Sequence, residues 1–241
     1  MPTPYYDEIE TRVFESDESP MHGYRGVLDA PSALDVPAGL TVAISREAGA
    51  RGTTIGGRAG AKLGWDVYSQ EMLEYGAQNP AVHGEMLEKL TPTAREWVDE
   101  QLAQMQAERH LSQHPNILDL ARIVLSLGAQ GNVLLLGRGA GFLLPARSTL
   151  HVRLVAPLPD RVAYMSQWLR MTDEEATVEV SKRDHGRAEF LATHFHRKAN
   201  DVHLYDMLLN TSLLGEELCA DLIAAAARGK GAALLAENGG G

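Results

Sequence analysis

Residues 41–58, TVAISREAGARGTTIGGR, constrain this chain more than any other stretch. A run of β-branched and small apolar residues leads into a turn holding Gly49 and Gly52, and a helical pattern follows at once. A strand that ends in glycines at a helix N-terminus commits the chain to strand–loop–helix geometry. The exposed amides at that helix start attract anions. In a phosphate-binding loop the glycines admit close backbone approach, a lysine reaches the outer phosphates, and a Ser or Thr hydroxyl holds magnesium. Here the pattern G-x-x-x-x-G-K-[ST] is not met, because no lysine is present, although Thr53 and Thr54 follow where the hydroxyl belongs.

Downstream, strands and helices alternate, which predicts a parallel sheet with helices on both faces. Strands are expected at Leu40–Ser45, 65–69 (WDVYS), 132–137 (NVLLLG), 150–156 (LHVRLVA) and 205–210 (YDMLLN). NVLLLG is near-continuously apolar, as a strand buried on both faces must be. Helices are expected from about Thr54 to Leu63, after a Thr91 cap with Pro92 at the first position, and after an Asn116 cap. Others are expected over 158–169, behind the capping box Thr172/Glu175, and over Gly215–Arg228. Residues 1–37 are acidic and broken by prolines, so they read as a flexible extension. Residues 38–228 form the folded domain, with a lid at about 172–200, and 229–241 read as a flexible tail.

The length, 241 residues with 44% hydrophobic side chains, suits one domain with its own core. A net charge of -10 argues against a nucleic-acid partner, which calls for a basic face. It leaves room for small anions held by converging arginines. No run approaches the ~20 apolar residues of a membrane span, so no membrane is expected. The single cysteine, Cys219, suits a buried helical thiol in a reducing compartment, and the cytoplasm is the expected location.

ISREAGARGTTIGGRAGAKLGWDVYSQEML resembles the opening of the cytidylate kinase-like family, whose members typically begin I-S-R-E-x-G-x-x-G. The resemblance continues through GNVLLLGRGAGFLLP, VRLVAPLPDRVAYM and YDMLLNTSLLG, in order over roughly residues 40–226. It implies a P-loop nucleoside triphosphate hydrolase fold, α/β, with a helical insert and a lid. It also implies ATP and Mg²⁺ as donor and cofactor, and phosphoryl transfer to a nucleoside monophosphate. Two other functions fit the residues: a non-catalytic nucleotide-binding protein, or a kinase of a different small acceptor. Small-molecule nucleotides are the expected partners, and the oligomeric state stays open.

Against bacterial cytidylate kinases, Arg46 replaces the first loop glycine, Arg51 the second, and Gly52 the lysine, while Gly49 and Thr54 match. The resemblance assigns Arg46, Gly49, Ala50, Gly52, Thr53 and Thr54 to the donor phosphates, with Thr54 on magnesium. Arg46 or Arg51 would return positive charge to the loop, since arginine binds phosphate bidentately. The alternative for both is a solvated turn residue. Arg138 matches the arginine of a family G-R-D segment that faces the acceptor, and Gly139 stands where the aspartate would be. In KRDHGR, Arg183, Asp184 and Arg187 match the family's lid pattern. Arg183 and Arg187 are assigned with Arg51 to catalysis, and Asp184 with Arg138 to the acceptor. Phosphoryl transfer to an ionised phosphate oxygen needs positioning and charge neutralisation, with no strong general base.

Overall fold

The computed structural model describes residues 36–238, so the expected N-terminal extension lies almost wholly outside the described residues. Five parallel strands build one sheet in the order β2-β3-β1-β4-β5. They are β1 (Thr41–Arg46), β2 (Asp66–Tyr68), β3 (Val133–Leu136), β4 (Thr149–Val155) and β5 (Met207–Asn210). This is the P-loop nucleoside triphosphate hydrolase fold that the resemblance implied. Alternate side chains of the central strands serve two cores, as the two-residue period requires. Ala43, Val133 and Leu135 pack with the helical insert. Val42, Ile44, Leu134, Leu136, Val152 and Leu154 pack on the other face, with Cys219 buried among them.

Helix α1 (Gly52–Leu63) follows β1, and α2 (Gln70–Gln78), α3 (Pro80–Glu88), α4 (Pro92–Ala107) and α5 (Pro115–Gln130) form the insert. The short α6 (Ala140–Leu143) follows β3, and α7 (Leu158–Leu169) follows β4. Helix α8 (Asp173–Phe195) carries the expected lid residues, and α9 (Thr211–Asn238) closes the domain. Thr91 caps α4 through the Ala94 amide, and Thr172 and Glu175 make the reciprocal capping box of α8.

Two boundaries differ from expectation. Helix α5 begins at Pro115 behind His114, so Asn116 lies inside the first turn; the fixed φ of a first-position proline decides the start. Helix α9 runs past Arg228 to Asn238, through residues assigned to a tail. Leu234 is buried there, so packing of this last turn on the domain carries the helix past Gly229 and Gly231. No helix among the described residues is long and apolar enough to cross a membrane.

Because β1 is flanked by β3 on one side and β4 on the other, its carboxyl end is the point where chain direction diverges. Open α/β sheets bind ligands there.

Candidate functional site

The loop from Glu47 to Arg51 crosses that point. Gly49 has φ 81°, and a Cβ on it would come within 2.6 Å of the Arg161 carbonyl oxygen, so only glycine fits. Arg51, the residue before α1, also takes a left-handed conformation with φ 57°. The helix thus starts without a side-chain cap, leaving its first N–H groups for a ligand. Gly52, Thr53 and Thr54 line a cleft of about 580 Å³ with Gly49, and Ala50 is buried behind them.

Arg46, the last residue of β1, crosses the floor of the cleft between two glycines. A Cβ at Gly52 would meet its Cγ at 2.9 Å, and a Cβ at Gly137 (φ 81°) would collide with its guanidinium. Gly52, at the position of the missing lysine, is therefore the room that Arg46 needs. Burial, with the charges of Arg187 and Arg138 and against the pull of Glu71, lowers the Arg46 pKa to about 10. A guanidinium so placed favours an anion beside it.

Arg51 lines the same cleft, but its guanidinium lies 5.2 Å over the Tyr164 ring and 3.9 Å from Glu216, at the rim. Arg138 sits in a turn where Gly137, Arg138 and Gly139 all have positive φ. Its guanidinium pairs with Glu74 and lies 4.7 Å over the Phe190 ring. Its Nε is buried without a hydrogen-bond partner among the described residues. From α8, Arg183 and Arg187 both reach the cleft. Arg183 donates to Glu179 at 2.6 Å, and Arg187 donates to the Arg46 carbonyl at 3.3 Å.

Asp184 is placed differently from its neighbours. It accepts from the Ala48 N–H at 2.7 Å and from Arg161 Nη1 at 2.5 Å. It bounds neither the cleft nor the smaller void beneath it. Arg161 also donates to the carbonyls of Ala48 and Ala156, while Glu47 accepts from the Ala156 N–H. The Ala48 peptides are thus gripped on both sides, and α7 and α8 together hold the loop from Glu47 to Arg51. The Arg161 side chain is only 11% exposed and packs on the loop.

Arg153 was not singled out in the sequence. It is a charged residue inside the apolar run LHVRLVA, which was the available signal. Paired with Ser45 across β1 and β4, it is 9% exposed and lines the void below the cleft with Arg46, Arg138 and Arg187.

A model of the cytidylate kinase-like family matches residues 41–213. A cytidylate kinase of Sulfolobus acidocaldarius is 27% identical over 106 residues, which cover 44% of this chain and 57% of that protein. The chain thus matches a little over half the length of that relative. Among solved structures, an uncharacterized protein from Eubacterium ventriosum overlays with a TM-score of 0.55 at 14% identity. That overlay covers 78% of this chain and 98% of the other, and supports the fold.

Proposed function

Since the chain belongs to the cytidylate kinase-like family, we propose that it transfers a phosphoryl group from ATP to a small phosphorylated acceptor, with a nucleoside monophosphate as the first candidate. The observation that carries this reading is the meeting of uncapped loop amides and the arginines 46, 138, 183 and 187 in one cleft at the carboxyl edge of the sheet.

In this reading the amides from Gly49 to Thr54 cradle the donor phosphates, and Asp184 and Arg161 fix the loop that presents them. Arg46 supplies the charge that a loop lysine supplies elsewhere. Arg138 orients the acceptor anion, and Arg183 and Arg187 neutralise charge on the group in transit. Thr53 and Thr54 both line the cleft in the first turn of α1, with Glu47 in the same wall, so a hard cation such as Mg²⁺ fits these oxygens. Bound there, Mg²⁺ would offset phosphate charge. The acceptor oxygen is already ionised, so no side chain here has to remove a proton.

A second acceptor class is favoured by one contact. A Cβ on Gly139 would stand 2.7 Å from the Phe195 ring, so the position that resembles the family's aspartate is closed by an aromatic side chain. Thermal unfolding with ATP·Mg²⁺ and a panel of monophosphates, each sample assayed for ADP, tests the proposal. A ligand well above its dissociation constant stabilises by ~2.7 kcal/mol at a hundredfold excess. ADP formed only with one acceptor supports phosphoryl transfer and identifies that acceptor. Stabilisation without ADP supports a nucleotide-binding protein instead, and no stabilisation by ATP removes the donor assignment.

A further inference from the structure

Ser45, next to last in β1, is half-buried and borders a void of about 40 Å³ beneath the cleft. Its Oγ lies 3.1 Å from His151 Nε2 on the neighbouring strand β4. A hydroxyl within hydrogen-bond reach of an imidazole is the arrangement of an activated nucleophile, provided something holds the base in place. Here packing and the strand hold it. His151 is 3% exposed, its ring meets Phe142 edge-on at 4.9 Å, and the Tyr205 ring lies 4.6 Å away. Its backbone N–H donates to the Asp206 carboxylate at 2.8 Å, and the Asp206 N–H donates to its carbonyl at 2.8 Å. The Tyr205 phenol also meets Ser45, but it donates to the Ala199 carbonyl at 2.9 Å. Burial pushes the Tyr205 pKa up, so the phenol stays protonated and His151 is the group that takes a proton.

The surroundings of the Ser45 hydroxyl suit a phosphate ester. Arg46, Gln70, Arg138 and Arg187 border both the cleft and the void, so the void is a pocket off the cleft floor. Arg153, in register with Ser45, borders the void as well. Carboxylates do not use up this charge. Glu74 pairs with Arg138, but Asp184, 3.8 Å from Arg187, is committed to Arg161 and Ala48. A phosphoserine facing such a cluster gains charge-assisted hydrogen bonds. The void has room for a phosphoryl group but not for a nucleoside, which needs a pocket of roughly 300 Å³ or more.

We propose that Ser45 is a self-phosphorylation site: with ATP in the cleft and no acceptor bound, its Oγ takes the γ-phosphoryl group, with His151 as the base. The bond from Oγ to the γ-phosphorus forms as the bond from that phosphorus to the β,γ-bridging oxygen breaks. The hydroxyl proton goes to His151 Nε2, and ADP leaves with the electron pair of the broken bond. The ester then occupies the arginines that transfer to a free acceptor requires, so the modified chain is switched off. The proposal rests on the phosphotransferase reading and adds a second acceptor, which is part of the chain itself.

The test is intact-mass spectrometry of the full chain incubated with ATP·Mg²⁺ and no acceptor, with thermal unfolding of the same samples. One acid-stable phosphoryl group per chain is expected, mapped to Ser45, with one equivalent of ADP and a rate independent of protein concentration. Ser45→Ala should gain no mass. His151→Gln or His151→Asn, whichever keeps its stabilisation by ATP, should slow the modification at least about a hundredfold, the effect of losing a general base. Three results would overturn the proposal: no mass gain in a chain that ATP stabilises, Ser45→Ala modified like the parent, or a stabilised His151 variant modified at the parent rate. The first of these leaves the phosphotransferase reading standing. Absence of both stabilisation and mass gain would instead remove the ATP donor, and Ser45 as an acceptor with it.

Discussion

Arg46 and Gly52 behave as one substitution at two positions. The stem of Arg46 occupies the space that a side chain at Gly52 would enter, with contacts of 2.9 and 3.2 Å to its Cγ and Cβ. Those atoms lie near the backbone and cannot swing aside as a side-chain tip can. Gly52→Lys alone should therefore cost about 1–3 kcal/mol through overpacking and abolish stabilisation by ATP. Arg46→Gly with Gly52→Lys should recover both, and a double-mutant cycle on unfolding midpoints would show strong non-additivity. Simple addition of the two effects would disprove the pairing. Arg46→Ala alone should leave a folded protein whose turnover falls about 10²–10³-fold, the range for losing one preorganised charge contact in an active site. His194 offers a second residue-scale measurement. Its ring meets Phe190 edge-on at 4.9 Å, and burial holds its pKa below the ordinary 6.5, helped by His114 and Arg138. The folded state therefore resists protonation that the unfolded chain accepts. Stability should be full above pH 6.5 and fall as pH drops below it, levelling once the folded histidine also titrates. His194→Gln should flatten that part of a urea midpoint-versus-pH profile, and an unchanged slope would assign the acid sensitivity elsewhere.

Helix α8 was expected to act as a lid, yet it is tied to the loop it would cover. Asp184 and Arg187 both bond to loop or strand backbone, and Ala48 packs with Val162, Met165, Ala176 and Val180 between α7 and α8. The arginines of α8 are thus held near the cleft before any ligand arrives. Asp184→Asn keeps an oxygen for the Ala48 N–H and removes the charge facing Arg161. It should cost about 1–3 kcal/mol of stability, the penalty for an unmatched polar group. It should also lower kcat/KM for ATP by about 10–100-fold, because a displaced loop misplaces the reacting atoms. Pairing it with Arg161→Met also removes the bonds to the Ala48 and Ala156 carbonyls, so the double variant should be no more stable than Asp184→Asn and should stay as low in activity. These elements differ in how legible they were. The strand NVLLLG and the capping box of α8 were plain in the sequence, because burial on both faces and a three-residue capping offset are local signals. The roles of Asp184 and Arg161 were not, since their loop partners lie 136 and 113 residues away in the chain. Arg153 was visible as a lone charge in an apolar strand, but only the sheet order sets it beside Ser45 and under the cleft.

Across the whole molecule, a body of net charge -10 carries its arginines inward to one edge of the sheet, so anions are met by local geometry and not by overall charge. The opposite edge is where the last helix matters. Ion pairs join α9 to α1, with Lys62 at 2.6 Å from Glu217 and 2.7 Å from Asp221, but they are solvent-facing and each contributes little. The strong anchors lie further along. Lys230 donates to the Thr149 carbonyl at 2.6 Å, where β4 begins, and to Asp206 at 3.1 Å, just before β5. Leu234 is 6% exposed. Ending the chain after Arg228 removes the Lys230 bonds and the buried Leu234. Exposure of one leucine and loss of the two Lys230 hydrogen bonds together predict a destabilisation of about 2–4 kcal/mol in urea unfolding. Lys230→Met in the full chain separates the polar and apolar anchors, since it removes the bonds to Thr149 and Asp206 and leaves Leu234 in place. If truncation left the unfolding midpoint unchanged, the final turns of α9 would have no part in holding the sheet, and residues after Arg228 would be the tail their glycines suggested.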